Sequence, residues 1–242
     1  MKKKFLKEIM KIKAAEYNCN AGSFSESENL ILVDEQTAFK MITFGKNVVI
    51  LTNKDLYEGI ERLLGNTDGV FCFDAPQLCA VNEVLHEFNF GLGDIYDFFI
   101  PSRVDKTTLE INKNLEVKKV NKSEYTLIDN IEQFDNAVCT GDSFKINELA
   151  YVAMDRGKVA AVAGASSNTE KLWWVGVDTV EKYRGKGLAS YLVNLVARDT
   201  LELKKIPVYP TWFSNIGSRT TAINAGFKPG FVEIFASERQ RS

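Results

Sequence analysis

The 242-residue chain has one histidine, His86, and four cysteines, Cys19, Cys72, Cys79 and Cys139, with no CxxC pair among them. Structural zinc sites draw on closely spaced cysteine and histidine pairs, so no metal is expected, and the chemistry of the chain has to work without histidine. His86 falls on a helical pattern among polar neighbours and reads as a solvated surface residue. No apolar run approaches the roughly 18 residues of a membrane span. The basic start, MKKKFLKEIMKIK, has no continuous apolar stretch like that of an export signal. The expectation is a cytoplasmic protein with reduced, mostly buried cysteines and no membrane partner. An excess of one charge is missing too. Thirty Lys and Arg against 32 Asp and Glu leave a net charge of −2, which gives no electrostatic case for nucleic acid as a partner. Repeats and low-complexity tracts are also absent. What remains is an ordinary globular composition, 45% hydrophobic, enough for one large domain or two small ones.

The first half alternates strand-like and helix-like signals. Leu30–Val33 and Asn47–Thr52 read as buried strands. Thr52 to Gly65 predicts a helix, with Thr52 as candidate N-cap, Asp55 three residues on, Leu56, Ile60 and Leu63 on one face, and Gly65 as the stop. Val70–Phe73 (VFCF) reads as another short strand. Asp74 to Phe88 predicts a helix capped by Asp74, with Pro76 in its first turn and Leu78, Val81, Leu85 and Phe88 on one face. The basic N-terminus sets Phe5, Ile9 and Ile12 on one helical face, which suits a helix capping the domain or one lying on a membrane surface. Phe88–Ser102, aromatic and broken by Gly91 and Gly93, suits a pocket lining or packing between domains. A polar stretch follows, and the domain boundary is expected there, with a smaller N-terminal α/β domain over 1–103 and a second domain over 104–242.

The second half has a different rhythm. A helical segment near Asn130–Cys139 precedes a hairpin of Leu149–Met154 and Val159–Gly164, joined by the turn sequence DRGK. Lys171–Thr179 (KLWWVGVDT) reads as a third strand and Pro207–Trp212 as a fourth. The helix Leu188–Leu203 lies between them, with Leu188, Leu192, Leu195 and Val196 toward the core. Ser214–Phe227 reads as a short helix capped by Ser214 or Asn215 and ended by Gly226. A last strand follows, from Phe227 to Ala236. The fold class is α/β (α+β).

The stretch EKYRGKGLAS, Glu181–Ser190, raises a question, because two glycines stand where a helix begins and glycine weakens a helix by about 1 kcal/mol relative to alanine. A glycine-broken turn feeding a helix presents backbone N–H groups and the positive end of the helix dipole to an anion. Arg184 and Lys186 add charge, and Gly187 lets a phosphate approach the backbone. The alternative is a tight turn with solvated basic residues. If φ at Gly187 is negative, that turn would accept alanine. The P-loop pattern and the dinucleotide fingerprint GxGxxG are both absent.

Val175–Val193 (VGVDTVEKYRGKGLASYLV), in which Arg184, Gly187 and Ala189 fit Gln/Arg-x-x-Gly-x-Gly/Ala, resembles the GNAT superfamily of acetyl-CoA-dependent N-acetyltransferases. The following strand and the asparagine-led helix ending in Gly226-Phe227 extend the resemblance over roughly residues 115–242. It implies a mixed, mostly antiparallel sheet flanked by helices, with acetyl-CoA as co-substrate. By position, Arg184, Gly185, Lys186, Gly187, Leu188 and Ala189 would hold the pyrophosphate, and Val177, Asp178 and Thr179 would pair with the pantetheine arm. Asn215 and Ser218 would also contact the coenzyme. The thioester would enter where two strands splay apart, and an amine would attack it directly. The family's tyrosine acid, four residues before Gly-Phe, is Ala222 here. Tyr209 is the candidate substitute as acid and Asp178 the candidate base, with Glu148 a further option. Trp173, Trp174 and Trp212 read as core or pocket wall.

The resemblance implies an N-acetyltransferase acting on a primary amine of a small molecule, as a monomer or homodimer. A non-catalytic acyl-CoA-binding module and a protein or peptide acetyltransferase are the alternatives. Phe44–Ile50 and Asn89–Pro101 are also similar to a bacterial subgroup that carries an extra N-terminal α/β domain, some of whose members are linked to zwittermicin-type antibiotic resistance.

Overall fold

The structure, a computed structural model, describes residues 2–121, 124–125, 131–138 and 146–239. Its first elements are α1 (Lys2–Glu16), β1 (Leu30–Val33), β2 (Phe39–Thr43), β3 (Val48–Thr52), α2 (Lys54–Leu64), α3 (Ala75–Glu87), β4 (Phe90–Leu92) and β5 (Tyr96–Pro101). There follow β6 (Glu116–Val120), β7 (Ile146–Asp155), β8 (Lys158–Ser167), β9 (Leu172–Thr179), α4 (Leu188–Glu202), β10 (Ile206–Trp212), α5 (Ile216–Asn224) and β11 (Phe227–Glu238). The chain forms two compact units, one of Leu6–Phe98 with Gly230–Ser242, the other of Phe99–Pro229 with Met1–Phe5.

In the first unit the strands run in the order β1-β3-β2-β11, with β1 parallel to β3 and the remaining pairs antiparallel; β4 adds to β11. Every residue of β3 is buried, as its unbroken apolar run demands. Leu56, Ile60 and Leu64 of α2 and Val81 and Leu85 of α3 pack with it. The α2 cap is Asn53 rather than Thr52: Asn53 Oδ1 accepts from Leu56 N–H at 3.1 Å, while Thr52 ends β3 and donates its hydroxyl to Ala38 O. Val70–Phe73 is a run of turns, not a strand. Asp68 Oδ1 accepts from Val70 N–H, its carbonyl accepts from Phe71 N–H, and the chain folds back before an extended run can form. Phe88 stands beyond the end of α3 and is exposed, not on the buried face.

α1 turns Ile9 and Lys13 inward, and Tyr17, just past its end, is buried as well. Lys13 Nζ lies 2.7 Å from Glu16 and 3.2 Å from Glu233, and Tyr17 OH donates to Glu233 at 2.8 Å. Burial disfavours the Lys13 charge, but the two carboxylates outweigh it and hold its pKa above the ordinary value. Of the cysteines, Cys72 is buried, Cys19 half-buried and Cys79 exposed, so burial holds for one of these three; Cys139 lies outside the described residues. His86 is exposed, as expected. Among the described residues no helix is long and apolar enough to cross a membrane.

In the second unit the order is β10-β9-β8-β7-β6; β9 and β10 are parallel and the other pairs antiparallel. The β7–β8 hairpin turns at Arg156 and Gly157, both at positive φ, as a tight hairpin turn requires. The sheet has two differently built faces. Ala153, Ala161, Ala163, Ala165, Trp173 and Val175 point to α4 and meet Leu188, Leu192, Val193 and Val196. Small residues on β8 let that helix lie close, and each buried Leu or Val contributes about 1.5–3 kcal/mol. Ala150, Val152 and Val162 point the other way and meet Phe134, Ala137 and Val138.

Candidate active site

The site is built where β9 and β10 part. Their parallel pairing covers Leu172–Trp174 against Ile206–Val208. β9 then continues to Thr179 on β8 alone, with Val177 opposite Ala163 and Thr179 opposite Ala161. A gap therefore opens between the ends of two parallel strands. Side-chain alternation gives it two sides. Val175, Val177 and Tyr209 belong to the face covered by α4, and Gly176 and Asp178 to the opposite face. Thr179 Oγ1 is buried with no hydrogen-bond partner among the described residues.

The glycine turn heads α4. Gly185 and Gly187 have φ of +73° and +77°, and Gly187 is the cap residue. A Cβ added at either would find no protein atom within 4 Å. With φ positive at Gly187, the condition under which a pure turn would accept alanine is not met: the left-handed region strains any L side chain, whatever the turn serves. Arg184 Nε donates to Thr179 O at 3.0 Å and Lys186 Nζ to Lys182 O at 3.0 Å. Tyr183 OH donates to Asp155 at 2.8 Å and fixes the turn from beneath. A cavity of about 350 Å³ is lined by Gly187, Ser190 and Asn224 together with Arg103, Lys106 and Thr107. A second, of about 500 Å³, adjoins Tyr183, Lys186 and Leu188.

The contribution of residues 102–107 has no signal in the sequence. Ser102 and Arg103 N–H both donate to Gly226 O, and Asn194 Nδ2 bridges Val104 O and Ala225 O. Gly226, at φ +98°, is so closely covered that a Cβ would strike Val104 and Thr107. The stretch that reads as a polar connector is thus bolted to α4 and the end of α5, and it brings two cations beside Gly187.

Tyr209 is 3% exposed, and its OH lies 2.9 Å from Ser218 Oγ. Burial raises its pKa above the ordinary phenol value, the Ser218 hydrogen bond opposes that, and the charge of Asp178 adds to the rise. Ala222 is fully buried in the same cluster, so the α5 position where the family's tyrosine would stand carries no titratable group. Asn215 caps α5, its Oδ1 accepting from Ser218 N–H at 3.0 Å. Asp178 has both oxygens engaged: Oδ1 accepts from Asn136 Nδ2 at 2.7 Å and Oδ2 from Ala137 N–H at 2.9 Å. Glu148 is exposed and sits at a bulge in β7, next to Leu149. Trp173 is core and Trp174 half-buried, but Trp212 is 52% exposed beside exposed Phe213 and Ile216, an apolar rim at the end of β10 rather than core.

Comparisons with known proteins agree with this architecture. The profile of the GNAT acetyltransferase family matches residues 72–230. No curated protein matches the chain. A GCN5-related N-acetyltransferase from Kribbella flavida is similar at a TM-score of 0.50 and 15% identity, over 66% of this chain and 63% of that one. A GCN5-related N-acetyltransferase-like protein from Streptococcus suis gives 0.48 and 16%, over 69% of each chain. A GNAT-family acetyltransferase from Colwellia psychrerythraea gives 0.45 and 11%, over 60% and 56%. This chain thus spans 56–69% of those proteins' lengths, and identities so low speak to fold alone. The family profile takes in the parted strands, the glycine turn and the capped helix after them, and the chain belongs to the GNAT acetyltransferase family.

Proposed function

We propose that the protein transfers the acetyl group of acetyl-CoA to a primary amine of a small molecule, by direct attack within a ternary complex. The observation that carries this reading is the gap between β9 and β10, headed by an open glycine turn and walled by a buried tyrosine. The residues present fit the coenzyme. The turn leaves room outside Gly185 and Gly187, Thr179 Oγ1 lacks a partner, and Arg103 and Lys106 line a cavity with Gly187. Arg184 to Ala189 would hold the pyrophosphate, Val177–Thr179 the pantetheine arm, and Asn215 and Ser218 would add contacts. The coenzyme supplies, when bound, an activated acyl carbonyl and a good leaving group.

The chain's own groups do the rest. Backbone N–H groups of β9 beyond Trp174, past the end of pairing with β10, can face negative charge developing on an oxygen. Tyr209, like any phenol, carries its proton at neutral pH, burial raises its pKa further, and it can give that proton to a departing thiolate. Ser218 orients the phenol. On the opposite face Glu148 is exposed, whereas each Asp178 oxygen already accepts a hydrogen bond that taking up a proton would weaken, so the amine proton leaves through Glu148 or water. Holding both substrates at one gap supplies much of the acceleration. Dependence on acetyl-CoA fits a cytoplasmic enzyme. Ala222, in place of the family's tyrosine, favours the second reading, a non-catalytic acyl-CoA-binding module.

The test is incubation with acetyl-CoA and a panel of small amines and peptides, following free thiol and amide product. Amide formation with a small amine and none with peptides is expected. Coenzyme binding with no product from any amine would leave the binding module.

A further inference from the structure

The backbone of Asn136 and Ala137 lies on a saddle of two glycines. Gly164 and Gly176 face each other across β8 and β9. A Cβ on Gly176 would run into Asn136 O, and one on Gly164 into Ala137 O. Phe134, Ala137 and Val138 anchor the same segment in the core beneath. Asp178, two residues along β9 from Gly176, closes the arrangement by accepting from Asn136 Nδ2 and from Ala137 N–H. Residues 134–138 therefore stand at the lip of the gap, on the face away from α4 and the glycine turn. If the coenzyme is held on the α4 face, an amine reaches the gap from the side these residues wall.

We propose that Asp178 is a positioning residue, which seats the Asn136–Ala137 wall on the Gly164–Gly176 saddle and so sets acceptor binding. The inference rests on the acetyl-transfer reading for its kinetic consequence and on geometry alone for the seating. A carboxylate holding two donors is badly placed to take an amine proton. An amide at 178 can hold the same two partners: its oxygen accepts from Ala137 N–H, and its NH₂ donates to the Asn136 side chain once that amide flips.

Asp178→Ala, Asp178→Asn and Asn136→Ala separate positioning from base catalysis, assayed with the amine that turns over best in the panel. Positioning predicts an acceptor KM about tenfold higher in Asp178→Ala, most of that loss recovered in Asp178→Asn, and a partial rise in Asn136→Ala. The pantetheine arm would pair with the backbone of Val177–Thr179, which these side-chain changes leave in place, so KM for acetyl-CoA and the shape of the pH profile stay as in the parent. Equal loss of kcat in Asp178→Asn and Asp178→Ala, with the low-pH limb of the profile abolished and Asn136→Ala unaffected, would make Asp178 the base and overturn the proposal. Hydrogen exchange at the Ala137 amide reads the seating without turnover, so it stands even if no amine reacts. The Ala137 N–H is shared between Asp178 Oδ2 at 2.9 Å and Phe134 O at 3.0 Å, so protection falls in Asp178→Ala, where Phe134 O alone remains, and is largely kept in Asp178→Asn; equal protection in both and in the parent would also overturn it. Should Asp178→Ala fail to fold, Asn136→Ala and Asp178→Asn carry the same contrast.

Discussion

Gly164 and Gly176 are covered by the backbone of Asn136 and Ala137, whereas Gly185 and Gly187, in the turn after the same strand, have nothing within 4 Å of the place a side chain would take. The covered pair makes room for the protein's own chain. The open pair bends the backbone through positive φ and faces outward at the mouth of α4. A glycine filled by its own protein is explained by packing. An open one can be a plain turn, as Gly157 is between β7 and β8; the open pair beside the unpartnered Thr179 hydroxyl, at the head of two parted strands, is where the proposed acetyl-CoA site would be completed by its ligand.

The largest effect expected concerns the α4 face, where the open pair lies. Tyr209→Phe keeps the ring in its cluster and removes the proton that Ser218 orients. Turnover should fall about 100-fold, near 2.7 kcal/mol, with acetyl-CoA affinity nearly unchanged. Undiminished turnover would return Tyr209 to packing and leave solvent as the proton source. A smaller effect is expected at the covered pair. Gly176→Ala forces Asn136 O away from β9 and should lower stability by about 1–3 kcal/mol, read as a lower midpoint in denaturant. An unchanged midpoint would mean that the segment yields freely and that the saddle is no constraint.

The smallest effect near neutral pH is a pH dependence to which one tyrosine on each face contributes. Tyr125 packs with Phe134 and Ala137, and its pKa is pushed up to about 12 by burial and the charge of Glu148. Tyr151 donates to Asp199 of α4, and its pKa is likewise about 12, through burial and then that hydrogen bond. In the folded state both hold their protons more tightly than in the unfolded chain, whose phenols titrate near 10. The stability they carry is whole below about pH 10 and is lost as pH rises toward about 12. Melting temperatures between pH 8 and 12 should show a decline that begins near 10, and a flat profile would contradict it.

Much of the second unit could be read from the sequence because its signals are local. β9, α4, β10 and the Asn215-capped α5 follow from apolar periodicity and caps, and the β7–β8 turn follows from Arg156-Gly157. What stayed hidden depends on distant partners. β2 escapes a pattern search because Lys40 interrupts it, and Lys40 is at home there because it donates to Glu16 O and lies over the Tyr17 ring. VFCF has the composition of a strand, but Asp68 turns it. Residues 102–107 look like a linker, since nothing local announces that Gly226 and Asn194 will hold them. The glycine turn was legible as a motif, while the sign of φ at Gly187, which decides what alanine would do, was not.

The most direct test of the account is calorimetric titration of acetyl-CoA into the parent protein, Gly187→Ala and Gly187→Val, with melting temperatures taken on the same samples. Positive φ alone should destabilise these variants by about 1–2 kcal/mol, which a folded domain can absorb. Apart from the two neighbouring residues no protein atom lies within 4 Å of an added Cβ, so a loss of affinity in a Gly187→Ala variant that melts close to the parent reports on the ligand. The account predicts folded variants with acetyl-CoA affinity at least tenfold weaker, about 1.4 kcal/mol, and weaker still for valine. Unchanged affinity in both folded variants, or tighter binding of ATP or NAD than of coenzyme A by the parent, would contradict it.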